Sequence, residues 1–150
     1  MIKNERQYRI TRAAAEKFAA TLAELKVSSG GQSTDPRVRK LQAEAVESQL
    51  ADLHEELQEY EALKSGAVGT IRVDTLADLP QGLIKARIAS GLSQKELAER
   101  LSLKEQQIQR YEAEDYASAS FHRLLEVARA LELTVKEEIT LAPRRLSAVP

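Results

Sequence analysis

Two short helical patterns stand back to back between Leu92 and Glu112, with a tight turn between them. Few folds accommodate that spacing. Ser93 precedes the first pattern, where its hydroxyl can accept a free N–H at the helix start. Leu97, Ala98 and Leu101 then share one face. The small side chain at Ala98 lets a second helix cross close by. After the turn at Ser102 the apolar positions are Leu103, Ile108 and Tyr111, again on one side. The pattern predicts a helix-turn-helix.

The other side of the second helix carries Gln106 and Arg110, flanked by Glu105, Gln107 and Gln109. Amide and guanidinium groups present paired donors and acceptors that match base edges in the major groove of DNA. A polar outer face on a short helix is ordinarily just solvated; behind this turn it points to base contact. Glu105 could accept from a cytosine amino group or simply complement the helix N-terminus. Lys104, Lys95 and Lys85 are candidate phosphate partners, weighed against the plain reading that surface lysines serve solubility. Gln94 opens the first helix, where free N–H groups favour an anion. Its amide could bond a phosphate oxygen or brace Gln106 or Gln107 across the turn, against the bland reading of an exposed polar residue.

Residues 79–131 resemble the lambda-repressor-like, Cro or Xre, helix-turn-helix family. Residues 93–112 follow its pattern, with Gln94 opening the helix that is second in the family's order and Leu97, Ala98, Leu101, Leu103, Ile108 and Tyr111 in its apolar places. Ser102 departs from it, since the family usually has glycine at this left-handed turn position; serine at positive φ costs on the order of 1 kcal/mol. The resemblance implies a sequence-specific DNA-binding repressor, working as a homodimer on a palindromic double-stranded operator. It also implies a possible antitoxin of the HigA type, with a toxin protein as partner. It further implies that Arg87 pairs with Glu112, bracing the recognition helix without touching DNA.

Composition narrows the remaining classes. The 150 residues include no cysteine, which excludes disulfides and thiolate chemistry and fits a reducing cytoplasm. No apolar run is long enough to span a bilayer, so no membrane role is expected. His54 and His122 lie far apart, outside any metal-binding motif; His54 is expected to be solvated and His122 to be a partly exposed bystander. No paired-carboxylate pocket, nucleophile elbow or glycine-rich phosphate loop is visible, so the expectation is no enzyme, no metal and no cofactor. Aromatic residues make up 4% of the chain, too few for single-strand recognition by stacking. Net charge is −1, and residues 79–133 carry 8 basic and 8 acidic side chains, so DNA binding must come from a local basic face. Non-specific affinity is then modest and salt-sensitive.

The N-terminal half reads differently. Tyr8, Thr11, Ala15, Phe18, Leu22 and Leu25 alternate spacings of three and four, a heptad seam over residues 4–26. Residues 27–34 are a loop by composition. Asp35 and Pro36 are a helix start. From there to about Lys64, Ala43, Val46, Leu50, Leu53, Leu57 and Tyr60 repeat the seam, and Gly66 ends the helix. Residues 1–26 carry six basic and three acidic side chains, residues 35–64 four and eight, which favours their pairing.

The predicted fold is all-α: an N-terminal antiparallel helical hairpin over residues 1–65, then a lambda-repressor-like helix-turn-helix domain over residues 79–133. Residues 66–78 form a linker that permits one short strand or an extended tether, and residues 134–150 a partly frayed C-terminal extension. A core helix from about residue 78 to Ser90 turns Leu83, Ile84, Arg87 and Ile88 inward. A last one over residues 121–131 turns Leu124, Leu125, Ala128 and Leu131 inward. Leu41, Ala45 and Leu63 lie beside the hairpin seam and suggest that two hairpins pack into a four-helix dimer. The rival reading makes the hairpin a docking module for another protein, with DNA binding secondary.

Overall fold

A computed structural model describes residues 1–27 and 35–141. Helix α1 (Glu5–Val27) is followed by α2 (Pro36–Lys64), a 3-10 turn at Leu76–Asp78, α3 (Leu79–Ala89), α4 (Gln94–Arg100), α5 (Glu105–Ala113) and α6 (Phe121–Ala130). No strand occurs among the described residues, so the chain is all-helical there. The segment at 67–73 takes no regular secondary structure, so the short strand that its sequence permits does not form. Of the loop expected at 27–34, Val27 is instead the last residue of α1, and 28–34 lie outside the described residues, as does the end of the C-terminal extension, 142–150.

Local chemistry sets the helix ends. Asp35 accepts from the Arg37 N–H at 2.9 Å, with Pro36 in the first turn. Gly66 and Gly91 take φ of 73° and 71° just past α2 and α3, where a side chain would be strained. Asn4 accepts from the Gln7 N–H at 2.9 Å, and Gln7 accepts from the Lys3 N–H at 2.8 Å. That reciprocal pair starts α1 as a capping box does.

Helices α1 and α2 form the antiparallel hairpin, and every heptad position named above is buried or half-buried. Charge complementarity between them is realised where Lys26 approaches Glu47 at 3.5 Å, and the neutral Tyr8 hydroxyl donates to Glu61 at 2.5 Å. Tyr8 also stacks on Tyr60, ring centroids 5.2 Å apart. Glu5 and Lys64 pair in the opposite sense.

The hairpin is not merely tethered. Ile2, Leu57, Tyr60 and Leu63 belong to the same hydrophobic cluster as Leu83, Ile84, Leu97, Ile108 and Val127. Helix α2 packs on α3, and Lys85 of α3 bridges to Glu59 at 2.6 Å. Within residues 66–78, expected as a linker, Val68 and Ile71 pack against this cluster, and Val73 Cγ1 lies 2.7 Å from where a Cβ would stand on Gly82, so only glycine fits there without displacement. Leu63, expected on an exposed stripe, is 5% exposed because α3 covers it. Leu125, expected inside α6, faces outward, and Val127 is fully buried in its place. Helical geometry explains this, since Leu125 lies about 100° around the axis from Leu124 whereas Leu124, Ala128 and Leu131 cluster.

Candidate nucleic-acid interface

Helix α4 is fixed at its start by a capping box. The Ser93 hydroxyl accepts from the Glu96 N–H at 3.1 Å, and Glu96 Oε2 accepts from the Ser93 N–H at 2.7 Å. The Ser93 N–H first, and then the Ser93 hydroxyl, which donates to the same Oε2 at 2.7 Å, hold the Glu96 carboxyl below its ordinary pKa. Leu97 and Ala98 are buried, and the Ala98 carbonyl accepts from the Leu103 N–H at 2.8 Å across the turn. Ser102 makes that turn at φ 53°, the left-handed position foreseen for it. Helix α5 then presents Ile108, 0% exposed, to the core.

Beneath α5 lies a buried polar cluster. Arg87 donates from Nε to Glu112 Oε1 at 2.5 Å and from Nη2 to Oε2 at 2.7 Å. The pairing implied by the resemblance is therefore present. Arg87 Nη1 also donates to the Leu92 carbonyl at 2.7 Å, and Nη2 to the Lys3 carbonyl at 2.6 Å. Gln94 Nε2 adds a third donor to the Glu112 carboxylate at 2.8 Å, and Gln94 Oε1 accepts from Asn4 Nδ2 at 3.4 Å. Gln94 thus braces Glu112 rather than Gln106 or Gln107. Its side chain is 8% exposed, so the bland expectation of an exposed residue also fails. The cause is the carboxylate itself, a stronger acceptor for an amide than another amide would be.

The outward side of α5 sorts into committed and free groups. Gln107 Oε1 accepts from the Lys104 N–H at 3.1 Å, which caps the helix. Gln109 Nε2 donates to Glu105 Oε1 at 2.9 Å one turn back. Lys104, Gln106 and Arg110 are exposed and make no side-chain hydrogen bond among the described residues. Arg110 lies over the Tyr111 ring at 5.8 Å, a contact that steadies its stem while leaving its donors outward. Of the other lysines considered, Lys85 is committed to Glu59 and Lys95 stands 3.9 Å from Glu99. Lys85 is therefore engaged as a brace between α2 and α3.

Residues 83–137 match the family model described as helix-turn-helix. The match is to the Cro type, which DNA-binding regulators carry. No curated protein and no solved structure matches the chain. The helix-turn-helix segment begins within α3 and takes in α4, α5 and α6, leaving the hairpin outside it. Among the described residues no helix is long and apolar enough to cross a membrane.

Two features of this segment were not foreseen from the sequence. Lys3 donates from Nζ to the Glu112 carbonyl at 2.5 Å and to Asp115 Oδ1 at 2.9 Å, so a cation from the chain start sits at the C-terminal end of α5. Tyr116 packs under α5 at φ 58°, 3% exposed, its ring 5.8 Å from that of Tyr111. Its hydroxyl has no partner among the described residues, and burial followed by the nearby Glu112 charge pushes its pKa up. No local signal marks the first; the paired left-handed residues Asp115 and Tyr116 follow a helix end without glycine to announce them.

Proposed function

We propose that the chain is a sequence-specific DNA-binding transcriptional repressor, acting in the cytoplasm as a homodimer on a palindromic operator. One observation carries this reading. Helix α5, anchored from below by Ile108 and Glu112, turns Gln106 and Arg110 outward with their donors uncommitted. In the major groove Arg110 would bond a guanine edge and Gln106 an adenine edge, while Lys104 holds a phosphate. Glu105, Gln107 and Gln109 flank them. Gln94 contributes by holding Glu112, and so the angle of α5.

A single helix-turn-helix covers half a site, and two half-sites stand about one helical turn apart. The hairpin supports dimerisation through Val38 and Leu41, 43% and 65% exposed, with Leu63 no longer part of that surface. Those same side chains support the runner-up, an adaptor that docks a partner protein such as a toxin.

An electrophoretic shift with a random duplex library, followed by sequencing of the retarded pool, tests the choice. A repressor selects a palindrome. An adaptor with no DNA function retards nothing.

A further inference from the structure

Helix α1 begins beside the Glu105, Gln109 and Ala113 side of α5, next to the face that carries Gln106 and Arg110, and an open groove of about 670 Å³ lies between them. Arg6, Gln7 and Ile10 line it on one side, Gln94, Glu105 and Gln109 on the other. The start of α1 is held there. Ile2 is 2% exposed within the core. The Lys3 carbonyl accepts from Arg87, the Lys3 ammonium bonds the end of α5, and Asn4 reaches Gln94. Glu5 is paired with Lys64 and Lys3 with Asp115. Arg6 is exposed, and among the described residues it makes no ion pair or hydrogen bond.

We propose that α1 supplies a second DNA contact, in which Arg6 grips a backbone phosphate at the edge of the major groove that α5 enters. The inference rests on the DNA-binding reading given above. A helix with its side chains is about 10–12 Å across and the groove about 12 Å wide, so α5 fills it. Whatever stands alongside α5 on its exposed side therefore meets the flanking phosphates. Arg6 is the cation placed there, and its guanidinium can bind a phosphate with two parallel N–H donors. Glu105 lies across the groove but is bonded to Gln109. The operator interface then runs from the helix-turn-helix onto the hairpin, which explains why the hairpin is packed into the shared core instead of hanging from a free linker.

The test uses the full chain and a duplex taken from its own selected pool, with affinity measured by fluorescence anisotropy across a salt series. Arg6→Ala should lower the slope of log affinity against log salt by about one phosphate contact, and weaken selected and unrelated duplexes alike. Arg6→Lys should keep the slope. Arg12→Ala is the control: it lies about 9 Å further along α1, beside a different cavity and 3.5 Å from Glu16, and should leave the slope unchanged. An unchanged slope for Arg6→Ala overturns the proposal while the DNA-binding reading stands. Equal losses for Arg6→Ala and Arg12→Ala overturn it too, since only net charge would then matter. Tighter binding by Arg6→Ala would make α1 an obstruction. If the unaltered chain binds no duplex, the DNA-binding reading fails first.

Discussion

Arg87 and Glu112 meet fork to fork, two parallel N–H···O bonds between side chains that are 3% and 0% exposed. A buried pair of this kind earns its place through geometry more than through net stability, because desolvation offsets much of the attraction. Here it ties α3 to the end of α5, and Gln94 and the Lys3 carbonyl complete it. Removing either partner strands a charge in the core. Arg87→Ala or Glu112→Ala should each cost about 3–5 kcal/mol in urea denaturation. In a double-mutant cycle the second substitution should cost far less than the first. Additive losses would mean that the two groups act independently.

The unpartnered Tyr116 hydroxyl makes an opposite forecast. A buried polar group without a bond costs about 1–3 kcal/mol. Tyr116→Phe keeps the ring against Tyr111 and removes that group. The variant should be at least as stable as the parent, by up to about 1 kcal/mol, read as an unchanged or raised urea midpoint. A lowered midpoint would show that the hydroxyl has a partner.

Ser102 stands at φ 53° in the turn between α4 and α5 and is exposed. Glycine pays no steric penalty at that angle. Ser102→Gly should raise stability by roughly 1 kcal/mol and leave DNA affinity unchanged. A loss of stability would place the strain elsewhere.

Glu96 gives a pH signature. Its carboxyl is held below the ordinary value of 4.5 by hydrogen bonds from Ser93, the backbone bond first. A folded-state pKa lowered in this way makes a contribution that is complete above 4.5 and is lost as pH falls through the lowered value. Glu96→Gln should therefore be less stable than the parent at neutral pH, and the gap should close in acid. A gap that is constant with pH would show that the capping carboxylate's charge contributes nothing.

These elements differ in how far the sequence announces them. The hairpin seams, the Asp35 and Ser93 caps and the turn at Ser102 depend on residues a few places apart, so spacing alone reveals them. The Arg87–Glu112 pair came through resemblance. The inward turn of Gln94 was hidden, because a glutamine at a helix start looks the same whether it faces water or a buried carboxylate. Lys3 reaching the end of α5, and Leu63 lying beneath α3, bring together residues far apart in the chain. Neither charge pattern nor periodicity identifies such partners. At the interface the outward positions of Gln106 and Arg110 followed from the buried side of α5, whereas the groove against α1 depended on how the hairpin docks.

The hairpin's exposed apolar residues give the proposed dimer its test. Leu41, 65% exposed, should tolerate Leu41→Glu as a monomeric fold while the light-scattering mass falls to that of one chain. Deletion of residues 1–65 is not an equivalent experiment, since it removes Ile2, Leu57, Tyr60 and Leu63 from the shared core. A dimer that survives Leu41→Glu would move the interface elsewhere.

The central claim is that α5 reads bases through its outward side chains. The direct measurement is the affinity of Arg110→Ala for the selected operator, and for variants of it altered one base pair at a time. The account predicts a loss of about 1–3 kcal/mol on the operator and relaxed preference at one base step, with the urea midpoint unchanged. An Arg110→Ala chain that binds as tightly and discriminates as sharply as the parent would contradict it.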